Sequence, residues 1–119
     1  MREYVKVSKN KNQVAVWFYN EADKVLAIGE KMYAINDRAY MNGYNWDMFF
    51  NYYLGKHAPD ILNALEADPE AGSYVAFFAA TPEGETLAVT FAKIIEELVE
   101  DEERLYKIVR EEGDEIEWD

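Results

Sequence analysis

The spacing of apolar residues changes along this chain, and the change limits the folds that the chain can adopt. Glu3–Ser8 alternates apolar with polar side chains, and Val14–Tyr19 is a run of β-branched and aromatic residues, so both segments predict strands. The polar stretch Lys9–Asn12 predicts a turn, and the two strands together predict an antiparallel hairpin. From Glu21 the apolar residues recur every three to four positions, which predicts a helix that ends near Asp37.

This first helix and the two that follow it are predicted from the same helical spacing. Gly29 costs about 1 kcal/mol in a helix relative to Ala, so a break or a short extra strand at this point stays open. A second helix, capped by Asn45 or Asp47, is expected to stop before Pro59, which opens a third helix. The apolar stripe of the first helix contains Val25, Ile28, Met32 and Ile35, widened by Leu26 and Tyr33.

The second half of the chain adds one strand and more helix. Asp68–Gly72 predicts a turn, and the short apolar run Tyr74–Ala79 predicts a central, buried strand. Thr81 and Pro82 together predict a helix start, and helical spacing continues as far as Gly113. The expected fold class is α+β, with a small antiparallel sheet of about three to four strands and helices packed mainly on one face. We expect a single domain over residues 1–119.

Acidic residues are concentrated near the C-terminus. The whole chain has 12 Lys and Arg against 24 Asp and Glu, a formal net charge of −12. Residues 83–119 hold 14 acids and 4 bases, whereas residues 1–82 hold 10 acids and 8 bases. The acidic surface is either a solvated helix face or a docking surface for a cationic partner. Nucleic acid is not an expected ligand, because a polyanion is bound by Lys and Arg.

The end of this acidic region is treated as a tail that begins at about residue 113. Ile116 and Trp118 lie among its acids. They could dock as an edge strand, or they could stay unpaired until a partner binds. The sequence leaves both alternatives open.

Side-chain patterns that support catalysis are weak. The absence of Cys rules out disulfides, thiolate metal sites and Cys nucleophiles. His57 is the only histidine and has no neighbouring carboxylate, and Ser8 and Ser73 do not lie in a nucleophile elbow. The paired acids lie on helical sequence rather than in a turning loop, as a Ca²⁺ site would need. We therefore expect no enzyme activity, no metal and no cofactor.

The sequence also gives no sign of export or membrane insertion. Met1–Tyr4 leads directly into the first predicted strand, without an apolar signal core. The longest uncharged stretch, Ala71–Pro82, is far shorter than the roughly 20 apolar residues that span a bilayer. A cytoplasmic protein without membrane contact is expected.

Aromatic side chains are dense between Asp37 and Tyr53, which hold seven aromatic residues in 17 positions. One face of one helix cannot bury them all, so they predict either an aromatic core or an exposed recognition patch. Together with the acidic region they define the candidate partner-binding residues, which are Tyr40, Tyr44, Trp46, Asp47, Glu102, Glu103, Glu111, Glu112, Asp114, Glu115 and Trp118.

Three segments resemble a known family when they are taken together. They are Asn42–Trp46 with the pattern Asn-Gly-Tyr-x-Trp, Ala58–Leu62 with Ala-Pro-Asp-Ile-Leu, and Asp68–Gly72 with Asp-Pro-Glu-Ala-Gly. In this combination the chain resembles the immunity protein 51 family of bacterial polymorphic toxin systems, from about Tyr19 to Val109.

The resemblance implies an α+β protein that neutralises a toxin domain encoded beside it, as in a toxin–antitoxin pair, by binding and without catalysis. Many such toxins are nucleases, whose nucleic-acid site is cationic and would be complementary to an acidic inhibitor. The alternative function is a non-catalytic interaction or regulatory module without a toxin partner.

Overall fold

The computed structural model describes residues 2–119 and contains one four-stranded antiparallel sheet. The strands lie in the order β1-β2-β4-β3, so β4 pairs with both β2 and β3. The expected N-terminal hairpin and the expected central strand are confirmed, and β3 is an addition that the sequence did not predict. The strands are β1 (Val5–Lys9), β2 (Gln13–Phe18), β3 (Glu66–Ala67) and β4 (Tyr74–Ala79).

Five α-helices and one short 3₁₀ helix complete the α+β fold. The predicted stop before Pro59 is confirmed, because one helix ends at His57 and the next begins at Pro59. The helices are α1 (Asp23–Ile35), α2 (Gly43–His57), α3 (Pro59–Ala64), α4 (Pro82–Glu100) and α5 (Glu102–Glu112), followed by the 3₁₀ helix Gly113–Glu115.

The helices that contact the sheet pack on one of its faces, as predicted. Phe18 on β2 lies 5.0 Å from Trp46 of α2, and Phe78 on β4 lies 6.3 Å from Phe91 of α4, measured between ring centroids. Cross-strand register places Trp17 on the opposite face, because successive side chains in a strand point to opposite sides. The aromatic core therefore lies between the sheet and the helices α2 and α4.

Helix α2 begins earlier than the sequence suggested, and its predicted caps are wrong. Asn42 is the N-cap, and its side-chain oxygen accepts a hydrogen bond of 3.0 Å from the backbone N–H of Asn45. Asn45 and Asp47 lie inside the first turns of the helix. The cap of α4 is confirmed, since the Thr81 hydroxyl accepts a 3.0 Å bond from the Gly84 N–H.

Helix α1 runs through Gly29 without a break or an extra strand. Its buried stripe is Val25, Ile28 and Met32, together with Gly29 itself. Leu26 and Tyr33, which the helical spacing assigned to the buried stripe, are instead exposed. They lie seven residues apart, so they share a second face of the helix.

The residues after α5 fold back onto the domain and do not form an edge strand. Ile116 is 1% exposed and belongs to the core. The Trp118 indole donates a 2.9 Å hydrogen bond to the carbonyl of Gly113, and the Asp119 N–H donates a 2.6 Å bond to the Asn45 side chain. The tail thus packs beside the N-terminal end of α2.

Candidate functional site

A groove of about 500 Å³ runs between α1 and the segment 36–42 that connects α1 to α2. Leu26 and Tyr33 contribute the wall on the α1 side, and Tyr40 and Met41 contribute the wall on the connecting segment. This groove brings together exposed aromatic groups, carboxylates and one buried amide, so it is the candidate functional site.

The connecting segment is positioned by a compact turn at the end of α1. The Asn36 side-chain oxygen accepts a 3.0 Å hydrogen bond from the Arg38 N–H, and the Asn36 carbonyl accepts a 2.9 Å bond from the Ala39 N–H. Ala39 is fully buried and anchors the segment, whereas the next residue, Tyr40, is exposed. The turn therefore presents Tyr40 on the surface beside α1.

Glycine in α1 allows this segment to approach closely. A Cβ atom at Gly29 would lie 3.1 Å from the Cβ atom of Met41, which is tighter than almost all real Cβ contacts. The segment can therefore pack directly against the α1 backbone, and both Gly29 and Met41 line the groove. The same residue that weakens the helix propensity of α1 thus has a packing role.

The aromatic wall of the groove is unusually exposed for residues of this size. Tyr40 is 66% exposed, Tyr33 is 49% exposed and Leu26 is 43% exposed. The two tyrosine rings lie 6.2 Å apart at 81°, an edge-to-face pair. Clustered exposed aromatic side chains mark interaction surfaces, because they offer large contact areas at low entropic cost.

Several polar groups of the groove are hydrogen-bond acceptors. Glu21 and Glu30 are exposed and line it, and neither forms an ion pair within residues 2–119. Asn20 also lines the groove and is only 2% exposed. Its side-chain N–H donates a 3.1 Å bond to the Ala71 carbonyl, and its side-chain oxygen is buried without a partner in the described structure.

Of the four candidates predicted around the aromatic turn, two are exposed and two are buried. Tyr40 and Tyr44 are exposed, at 66% and 40%. Trp46 is 1% exposed and lies in the aromatic core, 5.0 Å from Phe18 between ring centroids. Asp47 is 8% exposed, and burial raises the pKa of its carboxyl group. Trp46 and Asp47 therefore offer no open surface to a partner, because α2 turns them toward the sheet.

Two of the predicted acidic candidates form ion pairs inside the protein. Glu112 accepts a 2.6 Å bond from the Lys56 ammonium group and a 2.5 Å bond from the Tyr52 hydroxyl. The hydrogen bond from Lys56 is the main cause that lowers the pKa of Glu112, and the hydrogen bond from Tyr52 lowers it further. Glu102 lies 3.5 Å from the Lys31 ammonium group. Part of the acidic character is thus neutralised by bases from α1 and α2.

The other acidic candidates face solvent. Glu103, Glu111, Asp114 and Glu115 are exposed, and no ion pair involves them within the described chain. Trp118, the last candidate, is half-buried and contacts the core. These residues lie on α5 and the tail, and none of them lines the groove.

Tyr40 is the one groove residue that was predicted as a site residue from the sequence; those not singled out include Asn20, Glu21, Leu26, Glu30 and Tyr33. The available signal was the pair Leu26 and Tyr33, which shares a helix face different from that of Val25 and Met32. An apolar pair outside the buried stripe indicates an exposed patch, but only the fold shows that Tyr40 lies against it.

Metal and membrane features were also checked against the structure. Residues 2–119 contain no group of three or more His, Asp or Glu side chains arranged to hold a metal ion. None of the helices within this range is long and apolar enough to cross a membrane.

The structure is that of a small α+β protein with an exposed groove lined by acidic and aromatic side chains. The chain belongs to the immunity protein 51 family, whose model matches residues 5–114 of the 119. The match includes the N-terminal hairpin, which the resemblance from Tyr19 to Val109 did not cover. No curated protein and no solved structure matches the chain significantly.

Proposed function

We propose that this immunity protein binds a cognate bacterial toxin domain directly and blocks it, with the groove between α1 and segment 36–42 as the main contact. Membership of an immunity family gives the general role, which is protection against a toxin. The observation that supports the groove as the contact is its exposed aromatic wall beside unpaired carboxylates. Aromatic anchors in a pocket are the usual centre of a strong protein–protein interface.

The exposed acids of α5 and the tail are proposed to assist association. They add to the negative potential of the protein, which attracts a cationic partner over distances of about 10 Å at moderate salt. A nuclease is a suitable toxin class, because its nucleic-acid site is cationic. Charges at the rim of an interface act mainly on the association rate rather than on the lifetime of the complex.

The direct test is a survival assay with the toxin domain encoded immediately upstream in the source genome. Cells that express this domain are expected to survive when they also express the immunity protein, and the two purified proteins are expected to form a stable complex. A toxin that kills equally in both cases, with no complex in solution, would refute the proposal. That result would favour an interaction module without a toxin partner.

The electrostatic part has a separate test with Glu103→Lys and Glu111→Lys. Both side chains are exposed and unpaired, so their reversal should leave the fold intact. We expect the association rate to fall roughly tenfold at low salt and its salt dependence to weaken. Glu66→Lys is the matched control, because Glu66 is an exposed acid on β3, where it pairs with Phe77 on the far face of the sheet. Unchanged association rates in the α5 variants would indicate that the acids of α5 contribute to solubility and not to toxin binding.

A further inference from the structure

We infer that the groove binds a cationic side chain of the toxin, and that this side chain is an arginine. The inference rests on the proposed function, since it names the group that the groove would take from the partner. Three properties of the groove support it: its charge, its aromatic wall and its unused acceptor.

The charged side chains that line the groove are all acidic. Its lining contains the carboxylates of Glu21 and Glu30 and no Lys, Arg or His side chain. Some acids of this protein are paired with internal bases, as Glu112 is with Lys56 and Glu100 is with Lys24. Glu21 and Glu30 have no such partner in the described chain. A cation from outside would find two carboxylates that no internal base occupies.

The aromatic wall selects among cations. The rings of Tyr33 and Tyr40 are perpendicular and both about half exposed or more, so ring surface remains available in the groove. A guanidinium group stacks on a tyrosine ring and still donates hydrogen bonds in its own plane. An ammonium group is a strongly hydrated point charge and benefits less from such a wall. The combination of ring surface and carboxylate acceptors therefore favours arginine over lysine.

The third property is the buried amide of Asn20. Its side-chain N–H is held by the Ala71 carbonyl at 3.1 Å, which fixes the orientation of the amide. The Asn20 oxygen is consequently an acceptor without a donor in the described structure. Buried polar atoms are nearly always hydrogen-bonded in folded proteins. The oxygen has almost no accessible surface, so a partner's donor reaches it only when the groove side chains beside Asn20 shift; a guanidinium group carries five donors for such a contact.

The first test uses a small probe and does not require the toxin. N-acetyl-arginine methylamide is titrated into the isotope-labelled protein at constant ionic strength, and amide signals are followed by NMR. We expect saturable shifts confined to the groove, including the Asn20 side-chain amide and the Gly29 backbone. The neutral citrulline analogue, which has the same shape, is expected to cause none. Equal shifts with both probes, or no shifts with either, would overturn the inference.

The second test measures affinity for the toxin domain. Glu30→Gln and Tyr40→Leu are each expected to weaken binding roughly tenfold, or about 1.4 kcal/mol. Tyr40→Phe keeps the ring and should bind like the wild type. Glu66→Gln and Tyr19→Leu are matched controls, since both residues are exposed and lie outside the groove.

The two tests separate the inference from the proposed function. A wild-type protein that fails to bind the toxin would count against the proposed function, and the arginine titration would then decide the inference alone. If the wild type binds the toxin tightly and Glu30→Gln and Tyr40→Leu bind it equally tightly, the arginine inference is overturned. The immunity function would still stand in that case. A double-mutant cycle would support the inference if replacing one arginine of the toxin removes the effect of Glu30→Gln on affinity.

Discussion

Replacement of Gly43 by Ala should destabilise the protein severely, although it adds only one methyl group. Gly43 is the first residue of α2 and is buried. A Cβ atom at this position would lie 1.7 Å from the Glu70 carbonyl oxygen and 2.5 Å from the Ser73 carbonyl oxygen. Both obstacles are backbone atoms, so no side-chain rotation can relieve the overlap.

The expected loss of stability follows from the distance that the backbone must move to relieve this overlap. Ordinary van der Waals contact begins at 3.4 Å, so the start of α2 and the turn around Glu70 must separate by more than an ångström. This movement strains a packed contact, at about 1–3 kcal/mol. It also breaks the 2.9 Å bond from the Gly43 N–H to the Ala71 carbonyl, at about 1 kcal/mol. The total loss is about 3 kcal/mol.

Thermal and urea unfolding measure this loss. Unfolding entropy of about 2.1 cal/mol/K per residue converts 3 kcal/mol into a Tm decrease of about 12 °C for a chain of this length. Gly55→Ala is the matched control in the same helix, because its Cβ atom would meet only Leu62 at an ordinary 3.5 Å. The control should gain about 0.5–1 kcal/mol from helix propensity. A Gly43→Ala variant that loses less than about 1 kcal/mol would refute this steric argument.

Three further predictions concern the buried acid, the ion pair and the tail, and urea unfolding at several pH values tests all of them. Burial raises the pKa of Asp47 above its ordinary 3.8, so the contribution of Asp47 to stability should fall as pH rises through both values, and the wild type should lose stability relative to Asp47→Asn over that range. Lys56 lowers the pKa of Glu112 below its ordinary 4.5, so its contribution is present above that value and lost on acidification. Wild type and Glu112→Gln should therefore differ at pH 7 and converge as pH falls through the lowered pKa of Glu112. Ile116→Ala should cost about 2–4 kcal/mol, because Ile116 is 1% exposed; a loss below about 1 kcal/mol would contradict the docked tail.

Periodicity predicted most of the fold because most elements bury one continuous face. The hairpin, the central strand β4 and the start of α4 were expected from local sequence and are present. Strand β3 was not, because it has only two residues and exists through its pairing with Phe77 and Ala76. The Asn42 cap was not predicted, because an Asn-Gly pair is more typical of a turn than of a helix start; here the glycine is required by a close backbone contact.

Composition predicted an acidic molecule but not which acids are free. Lys56 and Glu112 are separated by 56 positions in sequence, yet their charged groups lie 2.6 Å apart. Lys31 and Glu102 are separated by 71 positions and also meet. Such pairs depend on how α1 and α2 pack against α5, and local spacing contains no information about that packing. The candidate acids therefore divide into paired and unpaired groups only once the fold is known.

The aromatic residues from Tyr40 to Tyr53 have two roles, and the helix cap Asn42 separates the residues that have one role from those that have the other. After this cap, Trp46, Phe49 and Phe50 are buried and hold α2 against the sheet. Before it, Tyr40 is exposed but follows the fully buried Ala39. A side chain presented from an anchored turn loses little backbone entropy on binding, and preorganisation of this kind increases affinity. The surface side chain can also be exchanged without disturbing the core, so a scaffold of this design can acquire a new partner while its fold stays the same.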